Sequence, residues 1–256
     1  MKPRDMTFLA HFEELRKRLI IIAIFLVLGL VIGFFLAPTV IDYLQSIPEA
    51  EDFPMNAFQL TDPLQVYINF AFFISIILIL PVIFYQLWAF ISPGLAEKER
   101  KVTLSYIPMA TVLFLAGIAF SYYVLLPYIM SFLGTLAERL NITEQYGINE
   151  YFSFLFRLTL PFGFLFQLPV AVMFFTRLGL MTPMLLHRIR KYAYFGLLVV
   201  AGFITPPELV THLMVTLPLF LLYELSVVIS RYAYRKRMKE EAARQRAMVE
   251  SQSKDQ

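Results

Sequence analysis

Uncharged apolar stretches alternate with short charged clusters along this chain, and the lengths of the stretches predict its elements. A hydrocarbon core of about 30 Å is crossed by roughly 20 helical residues rising about 1.5 Å each. Four stretches approach or exceed that length: Leu19 to Leu36, about Leu64 to Phe90, Leu104 to about Leu126, and about Phe152 to Phe175, the last with Arg157 near its beginning. Two shorter ones, Tyr192 to Ile204 and Leu209 to Val228, are separated only by Thr205, Pro206, Pro207 and Glu208, a turn too tight for anything but a helical hairpin. The expected fold is all-α, a polytopic membrane protein with six transmembrane helices of which the fifth and sixth are short. The fifth reaches only about 20 Å, which predicts local thinning of the bilayer. Leu19 to Leu36 is longer than the apolar core of a signal peptide, lacks a small-x-small cleavage site and is followed by further spans, so it is read as a retained span.

Before the first span, Phe8, Phe12, Leu15 and Leu19 recur at helical spacing and share one face, while His11, Glu14 and Arg18 lie on others. This predicts an amphipathic segment on the cytoplasmic membrane surface. After Arg231 the chain reads as a charged helix fraying into a disordered end. Residues 1–230 are therefore expected to form one six-helix domain and residues 231–256 a charged cytoplasmic tail. Pro48, Pro54 and Pro63, with Phe53, Met55, Phe58 and Leu60, fit either an ordered cap over the outer face or a plain connecting loop. Prolines 81, 108, 127, 161, 169 and 218 are expected to bend the bundle.

Composition supports lipid as the solvent, since 59% hydrophobic against 16% charged residues is more apolar surface than one soluble core of this size can hide. Charge sets the orientation. All 22 Lys and Arg residues except Arg139 and Arg157 fall in the N-terminus, the second and fourth loops and the tail, and basic residues near span ends stay in the cytoplasm. The first loop carries Asp42, Glu49, Glu51, Asp52 and Asp62 with no basic residue. Both termini are thus expected inside. The net charge of +3 comes from these membrane flanks and has no nucleic-acid motif beside it, so no nucleic-acid partner is expected. The absence of cysteine excludes disulfides, thiolate metal sites and cysteine nucleophiles.

Candidate chemistry is sparse. His11, His187 and His212 are too dispersed for a metal-ligand set, and there is no Gly-rich phosphate loop, His-Glu-x-x-His or Gly-x-Ser-x-Gly. No enzyme activity, metal or cofactor is expected. In the second cytoplasmic loop Glu97 has Arg100 and Lys101 three and four residues on, whereas Glu99 meets only apolar or hydroxyl residues at those spacings. Spacing leaves Glu99 either a solvated charge at headgroup level or an acceptor for a cationic ligand. Glu13 and Glu14 each have basic partners at helical spacing. Within or near the apolar stretches, Arg157, Gln167, His212 and Glu224 are costly to expose to lipid and should face protein, water or a partner, and Glu208 sits at the outer tip of the hairpin. Gly29-x-x-x-Gly33 permits close helix approach without specifying dimerisation. A small-solute secondary transporter with a polar midplane site at Glu224, His212 or Gln167 is the alternative reading, against which no repeat relates the two halves. An intramembrane hydrolase lacks a nucleophile and base pair.

The pattern His11-x-x-Glu14-Leu15-Arg16-x-Arg18-Leu19, then Pro81-Val-Ile-x-Tyr85-Gln86-x-Trp88-Ala89-Phe90-Ile91-x-Pro93-Gly94-Leu95-x-x-x-Glu99-Arg100, then Phe166-Gln167-x-Pro169-Val170, Thr205-Pro206-Pro207 and Glu224, resembles the TatC family over nearly the whole chain. That family is the multi-span signal-receptor subunit of the twin-arginine protein translocase. The resemblance implies a concave, glove-like scaffold in the bacterial cytoplasmic (inner) membrane that receives folded cargo bearing an Arg-Arg signal peptide. It also implies an oligomeric complex with TatA- and TatB-type single-span partners and export driven by the proton-motive force. Paired guanidiniums demand planar bidentate acceptors, which carboxylates supply. By resemblance Glu14, Glu99, Arg16, Phe90 and Arg100 form the signal-peptide surface, with the aromatic shaping the site and Arg16 orienting its acids. Gln167, Glu208, His212 and Glu224 are the intramembrane polar or partner-contact candidates, Gln167 standing where the family frequently has Glu.

Overall fold

The computed structural model describes residues 8–45, 56–94, 97–143, 145–205 and 209–254. Every named element is helical: α1 (Phe8–Gln45), α2 (Asp62–Ile91), a 3-10 turn at Ser92–Gly94, α3 (Glu97–Leu104), α4 (Tyr106–Phe120), a π turn at Ser121–Leu125, α5 (Leu126–Arg139), α6 (Ile148–Leu165), α7 (Leu168–Leu178), α8 (Pro183–Ile204) and α9 (Leu209–Lys254). Among the described residues five stretches are long and apolar enough to cross a membrane: Phe12–Gln45, Asp62–Ile91, Val102–Arg139, Ile148–Leu178 and Leu209–Lys239. The chain divides into two compact units, one ending at Phe164 and one beginning at Leu165.

In the first unit α1 lies along α2. Gly29 and Gly33 are the reason the two backbones come so near: a Cβ on Gly33 would run into the Ala71 carbonyl oxygen, and one on Gly29 would lie 2.5 Å from Ser75 Oγ. Small residues at this spacing let polar groups reach across to backbone. Ser75 Oγ donates to Leu26 O at 3.1 Å and Tyr67 OH donates to Phe34 O at 2.6 Å. The Gly-x-x-x-Gly pattern is therefore spent inside the chain. Beyond it, Ala37, Val66, Phe70, Ile74 and Phe152 form a buried cluster, with Phe70 edge-on to Phe152 at 4.8 Å. The segment before the first span is no separate surface element. No Gly or Pro interrupts the chain from Phe8 to Leu19, so it continues the axis of α1.

The loops that precede α2 and α6 are tied together. Asn56 bridges Gly147, with Asn56 N–H donating to Tyr146 O at 3.2 Å and Ile148 N–H donating to Asn56 O at 2.9 Å. Buried Asp62 accepts the N–H groups of Phe58 and Gln59 through Oδ2 at 2.9 and 2.8 Å. Residues 56–62 are thus held in place, while Pro48, Phe53, Pro54 and Met55 lie outside the described residues. In the π turn the Leu126 N–H reaches Ser121 O, five residues back, just before Pro127, which has no N–H to offer. Pro169 has the same defect. It cannot donate to the carbonyl of Leu165, and the helix breaks at Phe166–Gln167 before α7 begins.

In the second unit α7 and α8 both pack on α9. Thr176 and Ser230 share a buried hydroxyl–hydroxyl hydrogen bond of 2.8 Å, and Tyr223 OH donates to Leu186 O at 2.7 Å. Gly179, left-handed at φ 78°, closes α7, and Thr182 caps α8 by accepting the Leu185 N–H at 3.2 Å. α8 is not among the five apolar stretches, because its N-terminal part carries His187, Arg188, Arg190 and Lys191 and only Tyr192 to Ile204 is uncharged. The sixth helix, expected to be short and to fray after Arg231, instead runs unbroken to Lys254. Its last part is rich in Ala, Glu, Lys, Arg, Met and Gln with no Gly or Pro, which favours helix whatever its polarity.

Candidate functional site

Glu14 and Arg18 lie where the N-terminal part of α1 meets α2 near its end. Glu14 and Arg18 stand four apart on α1 and so share a face. Arg18 Nε donates to Glu14 Oε1 at 2.7 Å, its Nη2 lies 2.5 Å from the same oxygen, and its Nη1 donates to Gln86 Oε1 on α2 at 3.0 Å. Gln86 is buried, and the Glu14 and Arg18 side chains are each 23% exposed. The result is a carboxylate fixed on one oxygen, with Oε2 unoccupied among the described residues. Arg16, the residue implied to orient the acids, does not do so for Glu14. Two positions along a helix points a side chain away from its neighbour, and Arg16 is exposed. Arg18 and Gln86 do the orienting. The spacing of Glu14 and Arg18 announced their pairing, but nothing local announced Gln86, 68 residues away.

The short helix α3 carries Glu99. Its attachment to α2 is through Trp88, whose Nε1–H donates to the buried Thr103 Oγ1 at 3.0 Å, while the Arg100 guanidinium sits 5.6 Å from the Trp88 ring centroid. Tyr85 extends the aromatic surface, its ring 5.8 Å from that of Trp88. Phe90 is half-buried at the end of α2, one turn of chain before Pro93-Gly94. The Glu99 backbone belongs to α3, and its side chain lies outside those described, as does that of His11. Trp88→Phe keeps a ring but removes the N–H that holds Thr103. We expect stability to fall by about 1 kcal/mol and amide exchange across α3 to speed up. Unchanged exchange would mean that α3 is held elsewhere.

The intramembrane candidates do not converge. Gln167 is half-buried at the helix break, its backbone carbonyl accepting the Ala171 N–H at 2.9 Å as α7 begins. Glu208 lies outside the described residues. The His212 ring packs over Gly202, where a Cβ would come within 3.2 Å of Cε1. Glu224 is answered within the chain: Oε1 accepts Tyr194 OH at 2.6 Å and lies 2.7 Å from Arg190 Nε, which also donates to Tyr194 OH at 2.9 Å. At the edge of the span, Arg190 is pushed above the ordinary arginine value, chiefly by its hydrogen bond to Tyr194 and then by the Glu224 charge. Sequence spacing could not pair Glu224 with a residue on another helix. Arg157, exposed on α6, makes no hydrogen bond or ion pair among the described residues.

Comparison with known proteins identifies the family. Residues 10–218 match the family described as TatC, Sec-independent protein translocase protein. The chain is 62% identical over 245 residues to the Sec-independent protein translocase protein TatC of Halalkalibacterium halodurans, covering 96% of this chain and 97% of the relative. It is 59% identical to TatCy of Bacillus subtilis, covering 95% and 96% respectively. A crystal structure titled as the twin arginine translocase receptor TatC is 31% identical and superposes with a TM-score of 0.77, over 87% of this chain and 99% of that one. The chain, a multi-pass protein of apolar helices, belongs to the TatC family of Sec-independent protein translocase proteins.

Proposed function

We propose that the surface around Glu14 and α3 receives the Arg-Arg pair of a signal peptide. The observation that carries this reading is the fixed Glu14 carboxylate, held on Oε1 by Arg18, which Gln86 in turn anchors, with Oε2 left over. An ionised carboxylate has about four lone-pair sites, so one further guanidinium is accommodated without displacing Arg18. Glu99 on α3 supplies the second acceptor, Phe90 and Trp88 the aromatic boundary, and the Arg100 guanidinium sits over the Trp88 ring. Arg16 remains available for the acidic or polar groups that flank the pair.

In this reading the protein works by binding and carries out no catalysis. It lies in the bacterial cytoplasmic membrane with both termini inside, as the distribution of Lys and Arg requires. Residues 1–230 form the membrane domain and 231–256 the cytoplasmic tail. TatA- and TatB-type single-span partners assemble on it, with Gln167, Glu208, His212 and Glu224 as contact candidates, and the proton-motive force drives export of the folded cargo. The bilayer is thinned where α8 offers too few apolar residues to cross it.

The test is cross-linking from a photoreactive residue at position 99 to an Arg-Arg signal peptide and to its Lys-Lys counterpart. Arg-Arg labelling should exceed Lys-Lys labelling by about tenfold, since lysine lacks the planar fork. Equal labelling of the two, or none, overturns the reading.

A further inference from the structure

Beyond the signal-peptide surface, the second unit holds a hollow of about 450 Å³ lined by Pro183, Met184, His187 and Arg188 at the start of α8 and by Arg231 on α9. Two guanidiniums and an imidazole from two helices line it, and among the described residues no carboxylate does. Among the side chains described in this unit Glu224 is the one carboxylate, and Arg190 and Tyr194 already engage it. His187, Arg188 and Arg231 make no hydrogen bond or ion pair among the described residues, and all three are exposed. Such a cluster lacks an anion that the described residues do not provide.

We propose that this hollow binds the phosphodiester headgroup of an anionic membrane phospholipid. Guanidiniums that converge from two sides match the oxygens of a phosphodiester, and basic pockets between transmembrane helices are suited to anionic lipid headgroups. The level is right for a headgroup, because α8 becomes uncharged at Tyr192 and α9 becomes charged at Arg231. The apolar part of the lining separates a lipid from a free phosphate. Pro183 and Met184 wall the hollow, Met184 being 75% exposed. One and two turns beyond Arg188 on the same face, Tyr192 and Phe195 are exposed, and Val228 is exposed one turn before Arg231. An acyl chain that leaves the headgroup would run along these residues. A free phosphate gains nothing from them. The proposal requires only that these helix ends meet a membrane surface.

The experiment is native mass spectrometry of the full-length protein released from nanodiscs that contain phosphatidylglycerol and phosphatidylcholine. The wild type should retain phosphatidylglycerol in preference to phosphatidylcholine. Arg188→Gln/Arg231→Gln should weaken its retention about thirtyfold, at about 1 kcal/mol for each basic residue near the surface. Arg235→Gln/Lys236→Gln removes the same charge from exposed positions on α9 outside the hollow and should leave occupancy within about twofold. Melting temperatures of both pairs check that they remain folded. Millimolar inorganic phosphate should not displace the lipid. An equal fall in both pairs would reduce the effect to general surface charge and overturn the proposal. Displacement of lipid by phosphate would assign the hollow to a free anion and overturn it likewise.

Discussion

Gly33→Val is expected to remove most folded protein, seen as loss of accumulation in the membrane and a lower melting temperature of whatever is purified. The atom that a Cβ would strike is the carbonyl oxygen of Ala71, and next to it stand Ala71 C and Cα at 3.1 and 3.2 Å. Backbone cannot swing aside as a side chain can, so the two helices must separate. Separation stretches the Ser75–Leu26 and Tyr67–Phe34 hydrogen bonds on either side, and each leaves a polar group in an apolar setting. Within its most apolar stretch α1 has little else to hold it, since only 11% of those residues are buried inside the protein. Overpacking usually costs about 1–3 kcal/mol, and here the loss of the hydrogen bonds adds to it. Gly196 is the control, with nothing within 4 Å of where a Cβ would stand, and Gly196→Ala should melt at or slightly above the wild-type temperature. Wild-type melting of Gly33→Val would disprove the packing account.

Glu14→Gln combined with Glu99→Gln should weaken binding of an Arg-Arg signal peptide by about a hundredfold or more, with melting temperature little changed. A hydrogen bond to a charged group contributes about 1.5–3 kcal/mol, so two carboxylates removed together exceed tenfold each. Glu14→Gln has a second effect that Glu99→Gln lacks. It leaves Arg18 without its counter-charge beside Gln86, and that cation then repels the incoming pair. Arg18→Gln separates charge from position. It makes the surface more negative, which by charge alone would strengthen binding, yet it frees Glu14 to rotate. We expect weaker binding, measured by isothermal titration or fluorescence anisotropy. Tighter binding would mean that Arg18 only masks the carboxylate, and full affinity in the doubly substituted protein would remove both acids from the site.

The apolar stretches were legible because span length is written directly in uncharged residues, and five of them stand as such in the structure. Boundaries were less so. α1 and α9 extend well past their apolar portions, since helix propensity continues through Phe8 to Arg18 and through Arg231 to Lys254 regardless of polarity. The hydrophobic pattern marks where lipid begins, not where a helix ends. At the site, Glu14 and Arg18 pair at the spacing the sequence displays, whereas Gln86, Thr103 and Arg190 take partners that only folding brings near. The Gly29–Gly33 pattern was readable as a close contact but carried no address, and the address is α2.

The π turn at Ser121–Leu125 has a consequence for how this segment tolerates change. A turn that bonds five residues back holds one residue more than an α turn, so the surplus residue is absorbed within it and Leu126 stands where the fourth residue after Ser121 would stand in an α-helix. Removing one residue there lets the turn relax to ordinary α geometry with Leu126 still bonded to Ser121 O, so the residues that follow keep their faces. Phase, then, is what the turn protects: a single deletion within Ser121–Leu125 leaves Ile129, now fully buried, aimed as before, whereas the same deletion in a helix without such a turn would rotate all that follows by about 100°.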